Sequence, residues 1–425
     1  MGSALPGYDQ AAALVAAYAA QLGCSRPLER VALGQAAGRV LARPLCADRD
    51  QPPFARSTRD GYACRAAEAQ QHVPLTIAGM TRAGESPAGP LPALGAWEIM
   101  TGAPVPAGAD AVMMLEHVEA GDGHVRLLPP RTVAEGENIV AQGAQARAGD
   151  ELLPAGSAIG FAQVALAAAC GCAALDVFAR PRVAILTTGD EIVPVETAPG
   201  PGQIRNSNGP MLAAMVAAAG GEPWVLPNAA DSPEALDAAL DAALEKAAHA
   251  ELLLITGGVS AGKFDLVEPA LARRGARFHF TGVRIQPGKP LVFGDLPRGS
   301  AMELNQDQGL ARCFFGLPGN PVSSAVTFLL FAAPVLAALA GRRDRGPRFA
   351  LARLAEEVKA KAGLTRFLPA WCSFRSAQGD WPEVARLEWQ GSGDLAALAR
   401  SNCFLVLPED ADRLKAGATA IILLA

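Results

Sequence analysis

Lysine and histidine are both scarce in this chain, with six and five residues in 425. His72, His117, His124, His249 and His279 fall into no HExxH or paired spacing, so no imidazole centre is assigned. The eight cysteines are scattered. Only Cys170 and Cys172 lie close together, and no CxxC or Cys/His cluster has metal-ligand spacing, which excludes a zinc ribbon or finger. Reduced thiols and a cytoplasmic setting are the simplest expectation. There is no excess of basic charge: the formal net charge of -5 and the pI near 5.7 argue against nucleic acid or an anionic membrane as the main partner. MGSALPGYDQ has no basic stretch ahead of an apolar core, so no secretory signal is expected, and Pro6 stands where a myristoylation motif wants Ser or Thr. Long apolar runs are few. Val322 to Ala340 holds nineteen uncharged residues, but it is rich in Ala and Ser and contains Pro334, so it reads as a helix packed on a sheet, not a membrane span of ~20 strongly apolar residues. Ile159 to Leu175 reads the same way, and no internal repeat is evident.

The length predicts two to four domains with real cores. Tyr8 to Leu22 reads as a helix, and a second helical piece is expected around Leu33 to Leu41. After Asp48 the texture changes to Pro, Gly and short apolar runs. This suggests a β-domain over 47–145, inserted into a helical region made of 1–46 and 146–180, with Gly149 to Ala179 helical. From 181 to 345 strands and helices alternate, which predicts a mostly parallel sheet with its ligands at the carboxyl ends of the strands. Ser232-Pro233-Glu234 opens one of these helices with an N-cap, a first-turn proline and an acid at the positive end. Gly341 to Pro347 reads as a linker, and 346–425 as a C-terminal β-domain. The fold class is therefore multi-domain α/β plus β.

Three glycine-proline loops lie beside apolar runs: ELLLITGGVSAGKFD (Glu251 to Asp265), RIQPGKPLVFG (Arg284 to Gly294) and FFGLPGNPVSSA (Phe314 to Ala325). Glycine at a strand end removes the side-chain obstacle and lets successive N–H groups face one anion. Lys263 and Lys289 sit in these loops, which points to an anionic small molecule. Gly257, Gly262 and Lys263 satisfy GxxxxGK, but Phe264 follows where a P-loop needs the hydroxyl that holds magnesium. An ordinary strand-to-helix turn is the alternative. Asp190, Glu191, Asp231 and Asp265 gather at predicted loop ends. Each alone reads as a cap or surface charge; together they suggest a magnesium site bridging phosphates. Pro318-Gly319-Asn320-Pro321 precedes a long helix whose first amides can take an oxyanion.

DGYA (Asp60 to Ala63), IMTGAPVPAGADAV (Ile99 to Val112), TTGDEI (Thr187 to Ile192), GGVSAGKFD, PGKP (Pro287 to Pro290), GLPGNPVS (Gly316 to Ser323) and QGSGDL...NCFLVLP (Gln390 to Pro408) resemble, in order, the molybdopterin molybdenumtransferase (MoeA) family, related to the gephyrin E-domain. The resemblance implies a homodimer with a MogA-like three-layer α/β domain. It also implies magnesium as cofactor, molybdate and adenylylated molybdopterin as substrates, and a MogA-like adenylyltransferase as a possible partner. Carried over by motif, Asp60 and Thr101 would face the α/β site of the partner subunit. Asp190, Glu191, Asp231 and Asp265 would serve metal and phosphate, with Asp190, Glu191 and Asp265 as the metal ligands. Gly257, Gly258 and Ser260 would cradle phosphate, and Lys289, Pro290, Pro318, Gly319, Asn320, Pro321 and Ser392 would contact molybdate or pterin.

The chain departs from that pattern at Gln286, where a lysine is expected, at Gln145 and Asn206, where acids are expected, at Pro369, where an arginine is expected, and at Arg59, where an apolar residue is expected. Two functions stay open: molybdenum insertion with release of AMP, and a binding or scaffold protein that kept the fold and has weak or lost molybdate chemistry. A nucleotide hydrolase would require ATP turnover dependent on Lys263.

Overall fold

The computed structural model describes residues 5–22, 26–246, 250–258, 266–297, 312–373 and 381–425. Ser260, Lys263 and Asp265 lie outside the described residues. At the centre stands a six-stranded sheet formed by β1 (Arg182–Thr187), β2 (Glu222–Val225), β3 (Leu252–Thr256), β4 (Arg277–Thr281), β5 (Val292–Leu296) and β6 (Arg312–Leu317). Its order is β2-β1-β3-β6-β5-β4. The first four strands are parallel, as the alternating pattern predicts, while β5 near one edge is reversed, running antiparallel to both β6 and β4.

Continuous apolar runs are what a sheet covered on both faces requires. Successive side chains of a strand point to opposite faces. Phe315 accordingly packs with Leu317, Val322 and Phe331 on one side, and Phe314 with Leu240, Val267 and Leu271 on the other. Helices Asn208–Ala218 and Pro321–Leu339 cover the first face; Pro233–Lys246 and Val267–Arg273 cover the second. The Ser232 cap forms as expected, its Oγ accepting from Ala235 N at 3.1 Å. Pro321–Leu339 is long and apolar enough to cross a membrane, but its most apolar stretch is 89% buried inside the fold, as expected of a core helix.

The inserted segment forms a six-stranded sheet ordered Ala111–Met114, Gly61–Cys64, Gly95–Ile99, Leu75–Thr81, His124–Leu127, Val118–Gly121. In the C-terminal segment Thr365–Ser373, Glu383–Arg386, Phe349–Leu354, Thr419–Leu424 and Cys403–Leu407 pair in turn. The last pairs back onto the first, closing a barrel. Ile285–Gln286, from the α/β segment, adds to this barrel in parallel with Thr365–Arg366.

The region flanking the insertion is less helical than expected. Around Leu33 to Leu41 only Leu33–Gln35 forms a short helical turn; Gly38 adopts φ +77, and Val40 and Leu41 bridge to Ala158 and Val177. Across Gly149 to Ala179 one helix forms, Phe161–Ala169. Glu151–Leu153 pairs with Leu45–Cys46, and Ala174–Phe178 with Leu28–Ala32. Alanine-rich composition suggested helix, but β-pairing with residues more than a hundred positions away decided otherwise. Helix Tyr8–Gln21 buries Ala11, Val15 and Ala19 in the α/β core instead of joining these strands.

Phe315 is fully buried and stacks on Phe293 with centroids 4.5 Å apart. Phe315→Ala is expected to lower the stability of the α/β segment by about 3–5 kcal/mol, read from its denaturant midpoint.

Candidate functional site

Strands β1, β3 and β6 end in register, Thr187 opposite Thr256 and Thr256 opposite Leu317. The loops that follow therefore open at one level, and they line a cleft of about 750 Å³. Its walls include Thr188, Gly189 and Glu191 after β1, Gly257 and Gly258 after β3, and Pro318 to Pro321 after β6. Asp231, Asn206 and Asn208 add to them, and Gly393 and Leu395 of the C-terminal segment close one side.

Glycine is required where these loops touch. Gly257 adopts φ +99, and a Cβ there would lie 2.5 Å from the Thr188 carbonyl oxygen. Beneath the cleft runs a polar network. Thr256 Oγ donates to the Pro318 carbonyl at 3.1 Å and accepts from Asn208 Nδ2 at 2.9 Å, and the same Nδ2 reaches the Gly319 carbonyl at 2.6 Å. Ser324 Oγ also donates to the Pro318 carbonyl. Thr187 Oγ donates to Asn228 Oδ1 and accepts from Asn206 Nδ2. Asn206 Oδ1 in turn takes Gly209 N, so the amide found where an acid was expected uses both of its ends.

Asp190, Glu191 and Asp231 meet at the rim. Asp190 Oδ1 accepts Asp231 N at 3.0 Å, and the Asp231 carboxyl is pushed above its ordinary value by partial burial, with the charges of Asp190 and Glu191 adding to the effect. Among the described residues no three His, Cys, Asp or Glu side chains form a ready cage for a metal ion. Magnesium does not need one, since it keeps several waters and takes one or two carboxylates together with substrate phosphate oxygens. A crowded acidic rim beside exposed amides is compatible with that mode of binding.

Of the residues singled out from sequence, Glu191, Asp231, Gly257, Gly258, Pro290, Pro318, Gly319, Asn320 and Pro321 line the cleft. Ser392 stands behind it, its Oγ accepting from Asn320 Nδ2 at 2.8 Å and its carbonyl from Val322 N. Lys289 is exposed on the turn leading to Pro290, and is not itself among the lining residues. Asp60 and Thr101 lie outside this cleft and join each other: the Thr101 amide and hydroxyl both donate to Asp60 Oδ1, holding its carboxyl below the usual range. Thr187, Thr188, Asn208, Asn228 and Ser324 were not singled out. The signal available for them was a hydroxyl or amide residue at or just after the end of a buried apolar run.

Because the folded chain raises the Asp231 pKa, the stability tied to its protonated form is present at low pH and is lost as pH rises through the raised value. Asp231→Asn is therefore expected to raise the thermal midpoint of the free protein at pH 7. The gain should narrow as pH falls toward the ordinary carboxylate value of ~3.9. Paired melting curves between pH 4 and pH 7 check this.

Comparison with known proteins accounts for all three parts of the chain. Residues 7–171 match the MoeA N-terminal region (domains I and II), residues 184–338 a probable molybdopterin binding domain, and residues 351–424 the MoeA C-terminal region (domain IV). The molybdopterin molybdenumtransferase of Synechococcus elongatus is 35% identical over 421 residues, covering 96% of this chain and 97% of the relative. That of Nostoc sp. is 34% identical over 409 residues, covering 95% and 90%. The crystal structure of the molybdopterin biosynthesis MoeA protein from Pyrococcus horikoshii superposes with a TM-score of 0.79 at 28% identity, over 99% of this chain and 100% of that one. With its segments matched in order and its length shared almost end to end, the chain belongs to the molybdopterin molybdenumtransferase (MoeA) family.

Proposed function

We propose that this chain inserts molybdenum into adenylylated molybdopterin, releasing AMP, as a step of molybdenum cofactor biosynthesis. The observation that carries the reading is the cleft itself, where the Gly257–Gly258 turn and the Pro318 to Pro321 turn face an acidic rim at the carboxyl ends of parallel strands. Bare amides suit the phosphate and oxyanion parts of such a substrate. Asp190 and Glu191, with Asp265 beyond the described residues, would hold magnesium, which when bound neutralises phosphate charge. Asp231 keeps the rim negative, and the glycine turns orient the anion.

The second reading, a scaffold with weak molybdate capture, rests on Gln286 and Pro369. Against it stands Arg366, whose Nε donates to Gln286 Oε1 at 2.8 Å and which has no carboxylate partner among the described residues. One positive charge is thus kept on the strand pair where a lysine was expected.

A homodimer is supported by helix Phe161–Ala169, an apolar helix that buries only Ala167 and leaves Phe161 91% exposed. Such a face is suited to a second copy. Phe161→Glu is expected to shift the chain from dimer to monomer in sedimentation, with its melting curve little changed. Placement of Asp60 and Thr101 toward the partner's cleft, supply of substrate by a MogA-like adenylyltransferase, and a cytoplasmic location complete the reading.

Incubation with adenylylated molybdopterin, molybdate and magnesium is expected to release AMP, and Glu191→Gln to slow that release by about a hundredfold. An intact dimer that releases none would favour the scaffold.

A further inference from the structure

Asn208 was not among the residues expected to act, yet it fixes one of two adjacent peptide groups of the cleft, the other being fixed by Thr256 and Ser324. In a trans peptide the carbonyl and the following N–H face opposite ways. The Pro318 carbonyl is held inward by the hydroxyls of Thr256 and Ser324, so the Gly319 N–H turns away from them. The Gly319 carbonyl is held by Asn208 Nδ2 at 2.6 Å, so the Asn320 N–H turns away from that side as well. Neither N–H has a partner among the described residues, and both residues are exposed and line the cleft. The next amide, Val322 N, is already taken by the Ser392 carbonyl.

The orientation of the Asn208 carboxamide is fixed as well. Its nitrogen faces a carbonyl and a hydroxyl that already donates elsewhere, so its donor end cannot be exchanged for its acceptor end. A second feature points to a ligand at the same place. Thr188 is only 7% exposed, and its hydroxyl has no partner among the described residues. It lies at the Gly257–Gly258 turn, against which Gly319 packs, a Cβ on Gly319 falling 3.6 Å from Gly257 Cα.

We propose that Asn208 is a positioning residue which, acting through the Gly319 carbonyl, aims the Asn320 amide, beside the Gly319 amide that Thr256 and Ser324 aim, at one oxygen of a tetrahedral oxyanion. This rests on the reading of the cleft as the site of adenylylated molybdopterin. The oxyanion is either a phosphoryl group or molybdate, and the probes AMP and molybdate separate the two. Asn208→Leu keeps the side-chain size without the donor. By calorimetry it is expected to weaken AMP, molybdate or both by about tenfold, as for the loss of one well-placed donor. Asn208→Gln, which keeps a carboxamide, is expected to recover part of the loss. A variant that is merely destabilised would lower the melting temperature and the binding stoichiometry but leave Kd alone, and an unchanged Kd for both probes overturns the proposal. If Asn208→Leu does not fold, Ser324→Ala reads the same aim from the other carbonyl, with a several-fold rise in Kd expected and an unchanged Kd counting against it. Failure of both probes to bind the wild type also overturns the proposal, whereas the transferase reading stands or falls separately on AMP release.

Discussion

The register of three parallel strands is the constraint on which the rest of this site depends. Thr187, Thr256 and Leu317 lie side by side, so the loops after β1, β3 and β6 are forced to begin at the same height. Crowding follows from that, because three chains must turn away from one sheet edge within a few ångströms. Glycine at 257 and 258 is the steric answer, and the hydroxyl of Thr256 is the polar one. A buried hydroxyl that both donates and accepts ties two loops without leaving a carbonyl unpaired. Slipping β3 by one residue would turn Thr256 to the other face and uncouple the loops.

Much of this was legible from the chain. Strands buried on both faces read as uninterrupted apolar runs, and LLLIT before Gly-Gly and CFFGL before Pro-Gly mark strand ends directly. The acidic rim was legible too, since Asp190, Glu191 and Asp231 follow such runs or precede a capped helix. Pairings between distant segments were not. Leu28–Ala32 meets Ala174–Phe178 only because the inserted domain brings its two ends together, and no local pattern in an alanine-rich stretch announces that. The destination of helix Tyr8–Gln21 was hidden for a similar reason, since an amphipathic pattern says which face is buried but not against which partner. For Lys289 the charge was legible, while its place on the exposed turn before Pro290 was read only from the structure.

The polar network could be read only from coordinates, because it is made of residue types that are common in turns. Asn206, Asn208 and Asn228 each look like ordinary loop asparagines. In place, each uses its amide as a donor toward a threonine hydroxyl or a loop carbonyl. The departure at Asn206 is instructive. An aspartate could still cap Gly209 N but could not donate to Thr187 Oγ, so the hydroxyl would have to turn its own proton toward the acid and release Asn228. The asparagine keeps a uniform direction of donation across the network.

The C-terminal barrel does more than follow the α/β domain in sequence. Ile285–Gln286 leaves the α/β segment to pair with Thr365–Arg366, and four residues after Gln286 the same loop supplies Pro290 to the cleft. From the other side Ser392 holds both the Asn320 side chain and the first free amide of the long helix. The C-terminal segment therefore reaches the Pro318 to Pro321 turn directly through Ser392, and the loop that carries Pro290 through the Ile285–Gln286 pairing. Displacing the barrel would pull on Gln286, through Arg366, and on Asn320, through Ser392, together. Together with Gly393 and Leu395 these attachments make the C-terminal segment part of the cleft wall, so the shape of the Pro318 to Pro321 turn is set by the contact between domains as well as by the sheet beneath it.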